Sequence, residues 1–177
     1  MIEHVPELID AGIDSFKIEG RMKTALYVAT VARTYRKAID DYLKDPKLYE
    51  ANMEWYKEEI GKCTYREFTT GFYFGKPGSD AQIYDSNTYV KNYTYLGTVE
   101  EVREDGCCRI EQKNKFSVGE QIEIMKPDGR NVLVTVKGIT DEDGNAMESA
   151  PHPKQVLWVD LGSEVSPYDI LRRSEME

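Results

Sequence analysis

The stretch Ser15-Phe16-Lys17-Ile18-Glu19-Gly20-Arg21-Met22-Lys23-Thr24 decides how the chain is read. Ser15 to Ile18 is short, carries Phe and Ile, and follows the turn signal Ala11-Gly12-Ile13-Asp14, which predicts a buried strand. Gly20 breaks it. Glu19, Arg21 and Lys23 then sit where a strand hands over to a helix, and in parallel α/β architectures such strand ends carry chemistry. The alternative is that Glu19 and Arg21 pair only to pin the turn. Upstream, Val5, Leu8, Ile9 and Ala11 fall at helical spacing, with Pro6 suited to a first turn and Gly12 to the position past a helix end. The order helix, strand, helix is that of a barrel or doubly wound sheet, yet only one such unit is present. One unit cannot close a parallel sheet, so the expectation is the tail of a longer protein.

From Thr24 onward, Ala25, Val28, Val31, Ala32, Tyr35, Ala38, Ile39 and Tyr42 recur three and four apart, the stripe of an amphipathic helix. Arg33, Arg36, Lys37 and Lys44 are assigned to its opposite face, where a solvated surface is the simplest explanation and phosphate contact the functional one. Asp45-Pro46 both stops this helix and starts another. Leu48, Ala51, Trp55 and Ile60 give that second helix its apolar side, and Gly61 ends it. Between Cys63 and Gly75 the residues Tyr65, Phe68, Thr69, Thr70, Phe72, Tyr73 and Phe74 are β-formers. They are read as an anchor that packs a linker onto a core, with a base-stacking platform as the alternative. Residues 76–92 are rich in turn formers and read as that linker.

After Asn92 the pattern is all short strands. Tyr93 to Val102, Cys107 to Gln112, Gln121 to Met125, Asn131 to Ile139 and Gln155 to Leu161 are separated by turn signals built around Gly106, Gly119, Gly129 and Gly144. This spacing predicts a small barrel or sandwich, and Gly97 hints at a bulge or corner. The fold class is therefore α+β. Residues 1–62 would be a strand-helix unit with helices, 63–92 an aromatic anchor and linker, and 93–177 a C-terminal antiparallel β-barrel.

The 177 residues carry a formal charge of −9, which argues against a nonspecific nucleic-acid coat. Lys and Arg number 10 against 12 Asp and Glu in residues 1–62, and 13 against 20 in residues 63–177, so any such contact falls to the less acidic first part. Cys63, Cys107 and Cys108 are an odd set without Cys-x-x-Cys spacing, which encodes neither a disulfide framework nor a metal site and fits a reducing cytoplasm. No apolar run reaches the ~20 residues of a membrane span. His4 and His152, the two histidines, lack the context of a catalytic pair, and neither a Gly-rich phosphate loop nor a His-Glu-x-x-His motif occurs. No catalytic residue and no metal ligand is assigned.

The strings Leu8-Ile9-Asp10-Ala11-Gly12-Ile13-Asp14-Ser15, Lys17-Ile18-Glu19-Gly20-Arg21-Met22-Lys23, Tyr35-Arg36-Lys37-Ala38-Ile39-Asp40 and Thr69-Thr70-Gly71-Phe72-Tyr73-Phe74-Gly75 resemble peptidase family U32, the collagenase-like proteases. Tyr95-Leu96-Gly97-Thr98-Val99, Phe116-Ser117-Val118-Gly119-Glu120 and Asp169-Ile170-Leu171-Arg172 match more loosely. The resemblance implies a TIM-like catalytic barrel, of which residues 1–62 would be the last edge, and a β-barrel similar to domain 2 of elongation factor Tu. It also implies either proteolysis or hydroxylation of uridine in tRNA. For full-length relatives it implies prephenate-dependent chemistry and an iron-sulfur centre, whose cysteine motif is absent here, so no cofactor is assigned to this chain. Glu19, Arg21 and Lys23 match the family motif as substrate-binding candidates, and Arg33, Arg36 and Lys37 are the candidate RNA contacts. The expected partners are a missing N-terminal catalytic barrel, tRNA, and a second copy held through exposed helix faces. The expected role is substrate docking, with an independent peptidase and a structural or oligomerisation module as alternatives.

Overall fold

A computed structural model describes residues 1–65, 68–78 and 90–175. The chain divides into two compact units, Met1–Asn92 and Tyr93–Glu177.

In the first unit a 3-10 turn, Ile2–His4, leads into α1, Val5–Asp10, with Pro6 in its first turn. Gly12 ends the helix in the left-handed region at φ +76, and its N–H donates to Ile9 O at 2.9 Å. The predicted strand Ser15–Ile18 does not form. Residues 13–20 belong to neither helix nor strand, and Ile13 and Ile18 are exposed. The reason is physical: a parallel strand is stable only between neighbours that take its backbone hydrogen bonds and cover both faces, and the described residues supply none here.

Helix α2, Ala25–Lys44, starts where expected, with the Thr24 hydroxyl accepting the Tyr27 N–H at 3.3 Å. Its buried face differs from the apolar stripe. Val31 and Ala38 are buried and Tyr35, Ile39 and Tyr42 partly so, but Ala25, Val28 and Ala32 are exposed. The buried positions are Leu26, Thr30, Val31, Arg33, Thr34, Ala38 and Asp41, four of them polar. Thr34 satisfies its hydroxyl on Thr30 O at 2.7 Å, so burying it leaves no unmet donor.

Asp45 caps α3, Pro46–Ala51, by accepting the Lys47 N–H at 3.0 Å. The second predicted helix is interrupted at Asn52, and α4 runs Met53–Ile60. These helices pack on α2 through Tyr49, Tyr56 and Ile60, while Ala51 is exposed. Tyr49 and Tyr56 stack at 5.6 Å, and the Tyr49 hydroxyl donates to Ile2 O at 2.7 Å. Tyrosines serve as core here because each polar tip has a partner. A short antiparallel pair, β1 (Thr64–Tyr65) with β2 (Val90–Lys91), completes the unit. The aromatic run Phe72-Tyr73-Phe74 forms turns, with all three side chains exposed. Phe74 lies 4.5 Å from the His4 ring. Of the stretch expected to be a linker, residues 79–89 lie outside the described residues.

The second unit holds β3 (Tyr93–Val102), β4 (Cys108–Glu111), β5 (Gln121–Met125), β6 (Asn131–Thr135), β7 (Gly138–Thr140), β8 (Ala146–Met147), β9 (Val156–Asp160) and β10 (Ile170–Ser174). They form one antiparallel sheet in the order β6-β5-β10-β3-β4-β9-β7-β8. It is curled into a half-barrel: Ser117 bridges Ser149, and Ala150 N–H donates to Phe116 O at 2.8 Å. The expected β-barrel is thus present as an open, curled half-barrel, with β6 and β8 at the sheet's ends. Leu96, Ile110, Phe116, Ile124, Leu157 and Leu171 are fully buried inside it. Burial of each contributes roughly 1.5–3 kcal/mol.

Two features of this sheet were not equally legible. Gly97 does mark a bulge, since the β3–β10 register shifts between Leu171 and Arg172. A Cβ on Gly97 would stand 3.1 Å from Glu111 O and 3.2 Å from Ile110 Cδ1, so the glycine permits close approach of β4. Strand β10, which joins β3 to β5 at the sheet's centre, was not among the predicted strands. Its sequence, Ile-Leu-Arg-Arg-Ser, shows no alternation, because Arg172 is fully buried and bonded to Glu123 at 2.5–2.6 Å.

Candidate functional site

The elbow between α1 and α2 is held by local bonds. Lys23 N–H donates to Gly20 O at 2.9 Å, and Arg21 N–H donates to Glu19 Oε1 at 3.0 Å. Lys17 lies 3.6 Å from the other Glu19 oxygen, with both side chains exposed. The Lys23 ammonium sits 5.0 Å from the centre of the Tyr27 ring. Glu19 therefore fixes the turn through the backbone of residue 21, a variant of the pinning alternative. The Arg21 side chain is exposed, and among the described residues it makes no ion pair. The elbow offers an anion one guanidinium fork and a neighbouring ammonium.

The three basic residues of α2 occupy different environments. Arg33 is not on a solvated face: it is 9 % exposed and ion-paired to buried Glu59, which also meets Lys62 at 3.5 Å. Trp55 covers it at 5.8 Å. Sequence periodicity put Arg33 outside because a charge was assigned to water, whereas α4 supplies its counter-charge. Arg36 is exposed and makes a two-point bond to Asp40 at 3.0 and 2.5 Å. Lys37 donates to Asp41 at 2.8 Å.

Asp41 is a node that the sequence did not disclose. One oxygen, Oδ2, accepts from Lys37 Nζ, from Asn52 Nδ2 at 2.9 Å and from the Tyr56 hydroxyl at 2.5 Å. Burial pushes its pKa up, but these donors outweigh that and hold it below the ordinary carboxylate value. Tyr56 is pushed up, first by burial and then by the Asp41 charge. The only available signal was the line Thr30, Arg33, Thr34, Lys37, Asp41 at helical spacing, which reads equally as a solvated face.

Beside Arg36 lies a groove of about 480 Å³ whose wall mixes apolar side chains with Asp14, Ser15 and Arg36. It is lined by Ile9, Ile13, Phe16, Ala32, Tyr35 and Ile39, among others, with Leu43 at 64 % exposure on its rim. This is where the outward part of the α2 stripe faces the segment that the sequence reads as a strand.

The thiols lie in different surroundings. Cys63 and Cys108 are buried, and burial pushes the Cys108 thiol up to about 12. No group of three or more His, Cys, Asp or Glu side chains is placed to hold a metal among the described residues.

Residues 1–83 match the description of peptidase family U32, and residues 91–172 match that of the U32 C-terminal domain. The chain belongs to peptidase family U32. Across 99 % of its length this U32 chain is 38 % identical to tRNA hydroxylation protein P1 of Bacillus subtilis, covering 42 % of that protein. It is 32 % identical to tRNA hydroxylation protein P of Escherichia coli over 98 % of its length, covering 38 %. A collagenase of Porphyromonas gingivalis is 28 % identical over 97 % of this chain, with 41 % of the collagenase covered. The chain thus spans about two fifths of the length of these relatives. Among solved structures, the C-terminal domain of a Geobacillus thermoleovorans U32 peptidase is 29 % identical, covering 46 % of this chain and 92 % of that one at a TM-score of 0.42. No helix among the described residues is long and apolar enough to cross a membrane.

Proposed function

We propose that this chain is the C-terminal portion of a tRNA-hydroxylating U32 protein and that it docks substrate without performing the chemistry alone. The observation that carries this is the 38 % identity, spanning both units, to a protein named for tRNA hydroxylation. Full-length activity needs the remaining three fifths of such a protein, and the first unit is its seat. The groove along Ile13, Phe16, Ala32 and Ile39 then receives the neighbouring strands and helices of a catalytic barrel. With those strands supplied, residues 15–18 gain backbone partners and become the barrel's edge. Glu19, Arg21 and Lys23 then stand at a strand's C-terminal end, where Arg21 and Lys23 hold a carboxylate or phosphate. RNA contact through α2 falls to Arg36 and Lys37, which exchange Asp40 and Asp41 for phosphates. The β unit serves as a docking module, in a reducing cytoplasm.

The test replaces the matching segment of the Bacillus subtilis protein with this chain and measures hydroxylated uridine in tRNA by mass spectrometry. Hydroxylation is expected to persist, and Arg21→Ala in the chimera is expected to lower it about tenfold or more, equivalent to ~1.4 kcal/mol. A soluble chimera without hydroxylation overturns the assignment, and unchanged activity in Arg21→Ala removes Arg21 from the site. A second reading, peptidase activity, rests on the 28 % identity to a collagenase. Cleavage of gelatin by the purified 177-residue chain would put that reading first.

A further inference from the structure

Three consecutive rings that the sequence reads as an anchor stand outside the first unit. Phe72, Tyr73 and Phe74 are 77, 67 and 62 % exposed. Elsewhere in this unit rings find partners: Tyr49 and Tyr56 stack in the core, and Phe68 lies parallel to Tyr65 at 4.6 Å. Among the described residues Phe72 and Tyr73 stack on no other ring, and Phe74 meets only that of His4.

The backbone presents the three rings. Thr69 Oγ1 accepts the Gly71 N–H, Thr70 O the Tyr73 N–H and Phe72 O the Gly75 N–H, each at 3.3 Å. Gly71 and Gly75, which flank the run, lie at φ +56 and +118, where a residue with a side chain is strained. The charge beside the rings is also unusual for this chain. Residues 68–78 hold no acidic side chain and one exposed lysine, Lys76, in a protein of formal charge −9. A second ammonium, that of Lys17, lines the same cavity of about 450 Å³ as Tyr73. Lys17 is 86 % exposed and is held by exposed Glu19 at 3.6 Å, a surface ion pair weak enough for a phosphate to displace.

We propose that Phe72-Tyr73-Phe74 is a stacking platform for unpaired bases of RNA, with Lys17 and Lys76 neutralising the phosphates beside them. The platform presupposes the tRNA-acting reading of the chain and takes the single-stranded part of that substrate. Ring faces free of neighbours are what successive bases stack on, and cations beside them are what the backbone needs. A base that is to be modified must also leave its own stack, so the substrate of such a protein presents unpaired rings that have to be held. An aliphatic-rich patch, or one edged by carboxylates, would not suit this occupant.

The test is binding of an oligoadenylate of about ten nucleotides to the full 177-residue chain and to the Bacillus subtilis chimera, followed by fluorescence anisotropy over a range of salt. Phe72→Ala and Tyr73→Ala are each expected to weaken binding roughly tenfold without changing its salt dependence. Phe72→Leu is expected to lose as much as Phe72→Ala, whereas Phe72→Tyr retains binding, since stacking needs a ring and not apolar area alone. Lys17→Gln and Lys76→Gln are each expected to lower the slope of log affinity against log salt by ~0.7. Because the rings are exposed, the ring variants are expected to keep the wild-type thermal midpoint. Alanine variants that bind like wild type, leucine serving as well as phenylalanine, or a fallen midpoint overturns the platform. So does a chimera indifferent to the ring substitutions, which marks a face covered by the catalytic portion. A chimera that hydroxylates tRNA while its ring variants bind unchanged overturns the platform alone. An inactive chimera that still binds the oligonucleotide through the rings overturns the tRNA reading alone.

Discussion

Removing Glu59 while leaving Arg33 in place is the sharpest perturbation of the first unit. The two side chains are 1 % and 6 % exposed and form an ion pair, and Lys62, at 12 % exposure, also leans on Glu59. Glu59→Ala leaves a buried guanidinium without its counter-charge, a change that costs about 3–5 kcal/mol where such pairs have been cut. Lys62 retains Glu58 at 2.9 Å and adds little to that figure. For a unit of this size 3 kcal/mol lowers the midpoint of thermal unfolding by more than about 10 °C. The double variant Arg33→Met, Glu59→Leu removes both charges and is expected to recover most of the loss, because no ion is left unpaired. Urea unfolding followed by Trp55 fluorescence, in a Trp158→Phe background, isolates the first unit, since each unit holds one tryptophan. A loss below about 1 kcal/mol in Glu59→Ala, or a double variant less stable than the single one, would refute the account of this pair.

Three further outcomes follow from the geometry. Asp41 has a folded pKa held below its ordinary 3.8, so its stabilising bonds are complete above that value and are lost as pH falls through the lower, folded one. Asp41→Asn is expected to cost about 1.5–3 kcal/mol at neutral pH and to flatten the acid limb of a stability-against-pH profile below the ordinary 3.8; a limb as steep as wild type would exclude Asp41 as its source. Gly97→Ala pushes a methyl against the Glu111 carbonyl and is expected to destabilise the β unit by about 1–3 kcal/mol in urea titrations, with no loss pointing to a strand free to move aside. Among the thiols, Cys107 is partly exposed while Cys63 and Cys108 are buried, so Ellman's reagent at mild alkaline pH is expected to modify Cys107 first and the other two only on unfolding. Equal rates at all three would contradict that burial.

Local chemistry with a short reach was legible in the sequence. The start of α2 after Thr24, the Asp45-Pro46 junction, the helix stop at Gly12, and the strands Tyr93–Val102 and Gln121–Met125 depend on neighbours within a few residues, and their backbone signals are strong. The charged elbow was visible for the same reason: Glu19, Arg21 and Lys23 flank one glycine. Periodicity likewise showed that α2 is amphipathic, but not which of its two stripes would be covered in this chain.

What tertiary structure decided was where charge could be buried and which strands had neighbours. Arg33 read as a surface residue, and nothing in the sequence marked Asp41 or Arg172 as buried; each is inside because a residue distant in sequence, Glu59, Tyr56 or Glu123, offsets the cost of removing it from water. Strand β10 was hidden for that reason, since a buried arginine breaks the alternation that marks a strand. Ser15–Ile18 shows the converse. Its composition suits a buried strand, but a strand exists only by pairing, and among the described residues no neighbouring strand takes its backbone bonds, while α2 half-covers Phe16 and leaves Ile18 exposed.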